Sequence, residues 1–447
     1  MNKCVPIHRR SLNEYASLVG EECIQELRKL AEPLRGARLL HLNATAAGGG
    51  VAEILKALVP LMCDSGLDAE WRVLQGADEF YKVSKAMHNG LQGMPIRLRS
   101  GMKEIWLKYS DLNADLLNSQ GSYDFVVVHD PQPAGILRLL RQKNGHRNPG
   151  TWIWRCHLDL STPQPDFWAF LKPYVEVYDA AIFTRIEYRG KDFGCPWSFE
   201  MPPGIDPLST KNRLLDNREV HSVLLRYGVD PVRPFIFKVS RFDPWKDFRG
   251  VIDIYHLVKK EFPDVQLVLA GGGAGDDPEA WSCYQDIATY AKGEDDIHIL
   301  WGQNGVSSPE LNAFHQAASV VVQKSIREGF GLVVTEALWK GCPVVASDVG
   351  GISTQISHGE TGYLARSLTE WVAAITHLLR DRQTAARLGS AGRDLVREKF
   401  LITRCLRDYL NILRVLSLTG STPSTVLAQA HSSPPEHGCP PLQISST

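Results

Sequence analysis

Short apolar runs recur along the chain. Most are followed by glycine or polar residues, and then by a longer segment with apolar positions three and four apart. The short runs predict strands and the longer segments amphipathic helices. Residues 1–35 predict an arm and then a helix, with Val19, Cys23, Ile24, Leu27 and Leu30 on one side. Ala37–Asn43 predicts a buried strand, Val51–Cys63 a helix kinked at Pro60, and Asp68–Leu74 the next strand. Ile54, Leu55, Leu58 and Leu61 fall on one face of that helix. Residues 77–120 read as helical and polar. Phe125–Asp130, Thr151–His157 and Ala180–Thr184 predict further strands, each ending in polar groups, as in a βαβ series.

The alternation breaks at Met201–Pro207, where three prolines and a glycine can continue neither a central strand nor a helix. A second series follows, with strands predicted at 235–240, 265–270, 297–300, 320–322 and 343–346 and helices from 368 to about 416. The expected organisation is therefore an α/β domain over 1–204 and another over 205–400. A helix over 401–417 is expected to pack back towards the first domain. Residues 418–447, rich in Ser, Thr and Pro, read as a disordered tail.

Composition narrows the function. Lys plus Arg number 49 and Asp plus Glu 50, so no basic excess points to nucleic acid or an anionic membrane. No run approaches the ~18 apolar residues of a membrane span. Nine cysteines are scattered without a Cys-x-x-Cys pair, and no signal-peptide core follows Met1; together these suggest a reducing cytoplasm. No His-x3-His or cysteine cluster suggests a metal site, and no Gly-x-Ser-x-Gly elbow suggests a serine hydrolase.

Three groups of residues carry candidate chemistry. After the strand-like run Ser319–Gln323, the stretch Ser325–Glu336 leads through Gly329, Phe330 and Gly331 into a helix start, the geometry that aims backbone N–H groups at an anion. Glu328 and Glu336 flank it; beside a phosphate a carboxylate repels, so both suit hydroxyls, such as those of a nucleotide sugar. Arg241 and Lys246, across the turn at Pro244, can clamp a diphosphate, one as a planar fork and the other as a point charge. His129, Asp130, Arg155, His157 and Asp159 end two strands of the first domain, and the Gly48–Gly50 turn opens its first helix. A solvated turn, a satisfied histidine or a tight connection would explain any one of these singly. Trp152, Trp154 and Trp168 read as core or wall.

Glu328 to Glu336, Arg241 with Lys246, and the two-domain layout resemble the family-four retaining glycosyltransferases of the GT-B fold. The resemblance extends to the trehalose glycosyltransferring synthases in His129–Pro133, Trp154–Ser161, Ser240–Lys246, Asp276–Glu279 with Trp281, and Gly48–Leu55, and covers residues 37–415. It implies two Rossmann-like domains facing across a cleft. It also implies transfer of glucose from UDP-, ADP- or GDP-glucose to glucose, giving trehalose reversibly. Arg241 and Lys246 would hold the diphosphate, assisted by the N–H groups of Gly329, Phe330 and Gly331. Glu328 would bind donor-sugar hydroxyls, Glu336 the ribose and His157 the sugar's sixth hydroxyl. Asp130, Gly49 and Gly50 would shape the acceptor site, beside the polar Arg155 and Asp159. The implied partners are small sugars, with a homodimer open; Mg2+ is compatible with the sequence and not required by it. The Gly271–Gly275 run departs from the family pattern and leaves the donor base open. A trehalose phosphorylase using inorganic phosphate, another family-four glycosyltransferase with a lipid or sugar-phosphate acceptor, and a non-catalytic nucleotide-sugar sensor are the competing readings.

Overall fold

The computed structural model describes residues 3–47, 49–119, 121–145, 150–272, 278–302, 307–418 and 444–446. Among them the chain divides into two units, Met1–Pro203 with Ile402–Thr447, and Gly204–Leu401.

The first unit is built on strands β1 (Lys3–Cys4), β2 (Arg38–Asn43), β3 (Asp68–Val73), β4 (Phe125–His129), β5 (Thr151–Cys156), β6 (Ala180–Phe183) and β7 (Trp197–Glu200). From β3 to β7 the sheet order is β3-β2-β4-β5-β6-β7, all parallel, with β1 antiparallel on the outer side of β3. Every residue of β4 is buried, as expected where helices cover both faces of a parallel sheet. The segment expected to be polar, 77–120, contributes two helices, Asp78–Leu91 and Ser100–Asn118. The segment is helical as expected, and its Phe80, Met87 and Trp106 are buried with Val126, Val128 and Trp154 in one core, so that a few large side chains anchor long, mostly hydrophilic helices.

The second unit carries β8 (Phe235–Val239), β9 (Gln266–Gly271), β10 (Ile297–Trp301), β11 (Val320–Gln323), β12 (Val344–Ser347) and β13 (Tyr363–Ala365). They form a parallel sheet in the order β10-β9-β8-β11-β12-β13. The strands β7 and β13, of four and three residues, were not anticipated, because so short a run has no readable period.

In each sheet the strand order reverses beside the first central strand, between β2 and β4 and between β8 and β11. At such a reversal the connections leave in opposite directions and open a crevice beyond the strand carboxyl ends.

The chain passes between the units twice. Within the second unit Ile205 N–H donates to Phe400 O at 2.8 Å, and Ile205 bridges Leu401. A Cβ on Gly204 would meet Leu401 O at 2.7 Å, so glycine is required there. Within the first unit Arg404 Nη2 donates to Pro202 O at 2.6 Å.

The tail reading needs one correction. Residues 419–443 and 447 lie outside the described residues, but Ile444–Ser446 forms a strand, β14, antiparallel to β7. β7 is otherwise an edge, whose backbone groups accept a further strand. Among the described residues no helix is long and apolar enough to cross a membrane.

Candidate active site

In the second unit the candidate residues sit just past β8 and β11, on the two sides of the strand-order reversal. Asp243 Oδ1 accepts from Trp245 N–H at 2.9 Å and caps a single 3-10 turn, Pro244–Lys246. That turn aims Lys246 at the loop after β11, where its Nζ lies 2.6 Å from Glu328 Oε2. Both side chains are largely shielded, 11% and 14% exposed, so the pair is stronger than a surface ion pair. Arg241 is not part of this contact: its guanidinium is 55% exposed and lies 3.5 Å from Asp243 Oδ2.

Beneath the pair runs Lys238 of β8. It is fully buried, donates to Lys324 O at 3.0 Å and lies 5.0 Å from the Phe248 ring centre. Burial, and then the Lys246 ammonium, lower its pKa to about 7, against the pull of Glu328 and Asp247. Lys324 pairs with Asp247, which holds a left-handed backbone and caps the helix Phe248–Lys259. Sequence reading passed over Lys238 because a lysine inside an apolar strand looks like an interruption, although that is where a shifted amine is expected.

The glycine turn is held closely. Gly331 has φ 86° and precedes the helix Leu332–Trp339. Gln355 Nε2 donates to Phe330 O at 2.5 Å, and Phe330 packs on Phe400 with ring centres 5.6 Å apart. Gly351 passes so near Gly329 that a Cβ would meet Gly329 O at 2.5 Å. Glu336 lies on the helix, 1% exposed, with Oε1 2.8 Å from Lys211 Nζ. It is thus the buried partner of a lysine 125 positions earlier, which no local spacing could suggest. Residues 273–277, most of the glycine run after β9 and part of the Asp276–Glu279 motif, lie outside the described residues.

In the first unit Asp130 follows β4 with φ 65°, unusual for a residue with a side chain. Its N–H donates to Arg155 O at 2.9 Å, and its Oδ1 accepts from His157 N–H at 2.8 Å. Burial pushes its carboxyl up to about 6, while the His157 N–H and the Arg155 guanidinium pull it down. The β4–β5 register, with His129 opposite Arg155, brings all four residues to one sheet edge. Arg155 is 1% exposed and donates through Nη2 to Met201 O at 2.7 Å, while its Nε and Nη1 are buried without a hydrogen-bond partner among the described residues. Asp159 Oδ1 accepts from Ser161 N–H at 2.9 Å and shapes its own turn. Gly49 is an exposed, extended residue before the helix Gly50–Asp64, and a Cβ there would meet nothing within 4 Å. Gly50 opens that helix, and Gly48 lies outside the described residues. His41 of β2 and Tyr409 of the helix Ile402–Ser417 also join this cluster, their ring centres 5.6 Å apart. Neither belongs to a motif. The described residues contain no group of three or more His, Cys, Asp or Glu able to hold a metal ion.

Comparison with known proteins agrees with this layout. Residues 41–190 match the family described as trehalose synthase, N-terminal domain, and residues 226–395 match glycosyl transferases group 1. A trehalose synthase of Rubrobacter xylanophilus is 47% identical over 91% of this chain and 97% of its own length. The trehalose synthase of Pyrococcus horikoshii is 44% identical over the same shares. Among solved structures a trehalose-6-phosphate synthase superposes with a TM-score of 0.67 at 15% identity, covering 85% of this chain and 99% of that one. That likeness shows the fold, GT-B, with two Rossmann-like domains.

Proposed function

This chain belongs to the trehalose synthase family of glycosyl transferases, and from that premise we propose that it transfers glucose from a nucleoside diphosphate-glucose to glucose, forming trehalose with retention at the transferred carbon. The observation that carries the reading is the shielded Lys246–Glu328 pair at the strand-order reversal of the second unit. A donor diphosphate is a better partner for Lys246 than a carboxylate is, since it brings more charge. Once Lys246 turns to the phosphates, Glu328 is released to accept hydrogen bonds from sugar hydroxyls. The exposed Arg241 swings to the same phosphates as a fork, and the N–H groups of Gly329, Phe330 and Gly331 add donors from the helix start. Lys238 lies behind them, and the arriving negative charge holds it protonated.

Transfer breaks the bond between the glucose C1 and the phosphate oxygen and forms one between C1 and the acceptor oxygen. The acceptor proton passes to the departing phosphate oxygen on the same face, so no protein nucleophile is needed. The cations stabilise the charge that grows on the diphosphate, the part of such a reaction that a protein can most influence. Glu336, held by Lys211, positions the start of its helix and reaches the ribose when that pair opens. Asp130, His157, Gly49 and Gly50 face the acceptor and the glucose hydroxyls, while Arg155 and Asp159 keep their turns in shape. The partners are these small sugars, with neither nucleic acid nor membrane among them, in a reducing cytoplasm. Light scattering decides whether the protein is a homodimer.

The test is incubation of pure protein with labelled glucose and UDP-, ADP- or GDP-glucose, each with and without Mg2+. Labelled trehalose is the expected product, and the nucleotide giving it fastest identifies the donor base. Glucose 1-phosphate released from trehalose and inorganic phosphate, without trehalose formation from any donor, would make the protein a phosphorylase. Nucleotide-sugar binding with no turnover would make it a sensor.

A further inference from the structure

Three histidine rings lie in a row inside the first unit: His41 on β2, His129 at the end of β4 and His157 just past β5. His41 Nδ1 is 3.0 Å from His129 Nε2, and His129 Nδ1 is 3.1 Å from His157 Nε2. The ring centres are 5.3 and 5.4 Å apart, well beyond the nitrogen separations. The rings therefore meet at their edges, and each contact is an N–H···N hydrogen bond. At the inner end His41 Nε2 lies 3.3 Å from Met62 Sδ. His41 and Met62 are fully buried and His129 nearly so.

Burial holds all three imidazoles far below their ordinary pKa, His41 at about 3; at His129 the neighbouring His41 and His157 and then the Arg155 guanidinium lower it further, and at His157 the Arg155 guanidinium does. They are neutral at physiological pH. A neutral imidazole has one N–H and one bare nitrogen. A row of three then has two arrangements that make both links, with every N–H pointing towards Met62 or every N–H pointing away. A thioether sulfur accepts weakly and has no proton to give, so it breaks the tie. His41 directs Nε2–H at the sulfur and accepts at Nδ1 from His129 Nε2–H. His129 in turn accepts at Nδ1 from His157 Nε2–H. The opposite arrangement sets the His41 Nε2 lone pair against a sulfur lone pair.

We propose that Met62, acting through His41 and His129, fixes the tautomer of His157, so that His157 offers a bare Nδ1 as hydrogen-bond acceptor to a hydroxyl of the sugar substrate. Met62, His41 and His129 are positioning residues. Only the final clause rests on the proposed transfer of glucose; the tautomer itself does not. The sugar group opposite His157 must then be a donor. A hydroxyl qualifies, whereas a fluorine or a methyl ether in its place has no proton to give.

The test is a long-range 1H–15N spectrum of protein labelled on its histidines, at neutral pH, with the three signals assigned by His41→Ala, His129→Ala and His157→Ala. The expected result is Nε2–H at all three rings. An Nδ1–H signal, or a charged ring, at any of them overturns the proposal. Met62→Leu keeps the volume and removes the acceptor; it should shift the tautomer ratio at His157 roughly tenfold towards Nδ1–H, about the effect of one net hydrogen bond. An unchanged ratio would remove Met62 from the device. If Met62→Leu does not fold, the wild-type spectrum still decides. Three Nε2–H signals in a protein that transfers no glucose would leave the relay standing and sink the functional reading, and the converse pair of results would do the reverse.

Discussion

Lys246→Ala separates the catalytic claim from a structural one. In the resting protein the ammonium lies 2.6 Å from Glu328 Oε2, with both side chains mostly shielded. Removing it leaves Glu328 with the Gln323 amide at 3.5 Å and the more distant, buried Lys238 in place of a directly paired charge. Breaking a buried ion pair from one side costs ~3–5 kcal/mol; since both side chains keep some water, about 3 kcal/mol is expected here. On the proposed function the kinetic loss has a different origin, the missing cation beside the leaving diphosphate, and one such donor is worth ~2.7–4 kcal/mol, or about 10²–10³ in kcat. Glu328→Gln tells the two apart. In that background Lys246→Ala no longer strands a charge, so most of the stability loss should disappear while the further fall in kcat persists. Thermal unfolding and steady-state kinetics on the four proteins of this cycle make the comparison. A folded Lys246→Ala enzyme with near-wild-type kcat would refute the assignment, and so would a kcat that recovers together with stability.

Three further outcomes are expected. The folded protein holds the Asp130 proton up to about pH 6, well above an unfolded aspartic acid, so stability attached to this group is full below about pH 4 and falls as pH rises through about 6; Asp130→Asn should remove a slope worth about 3 kcal/mol at most, read from denaturant midpoints of both proteins between those limits, and identical slopes would contradict the burial argument. Gly331→Ala forces a side chain into a left-handed residue and brings its Cβ within 3.1 Å of Glu328 Cγ; a loss of about 1–2 kcal/mol in denaturant unfolding with a marked fall in kcat is expected, and an unaffected enzyme would mean that the turn does not need its shape. Deleting residues 420–447 removes, among the described elements, only the three-residue strand Ile444–Ser446 from the edge of β7, so activity and Tm should barely change; a large loss of either would show that this pairing carries stability or function.

Much of this architecture was legible because a parallel strand covered on both faces is a continuous apolar run, and the polar residue ending it falls where ligands bind. Phe125–His129 with Asp130, and Val320–Gln323 followed by Glu328, were readable in that way. What escaped depends on contacts between distant segments. Nothing near Glu336 announces Lys211, and nothing near His129 announces His41 or Tyr409, because the sheet order and the returning helix bring them together. Arg241 and Lys246 looked equivalent in the motif. The structure separates them, since the 3-10 turn capped by Asp243 buries one cation and leaves the other in water.

The second unit begins at Gly204 and ends at Leu401, and those two ends meet through the Ile205–Leu401 bridge. Topologically this unit leaves and rejoins the rest of the chain at a single place, and a segment with adjoining ends can be replaced without stretching what surrounds it. On the proposed function, with the donor held by the second unit and the acceptor by the first, a nucleotide-recognising cassette from a relative with another donor preference could be spliced between Pro203 and Ile402, leaving the acceptor residues in place. Donor choice and acceptor choice would then be inherited separately, and a lineage could change its nucleotide currency by recombination without first relearning how to hold glucose.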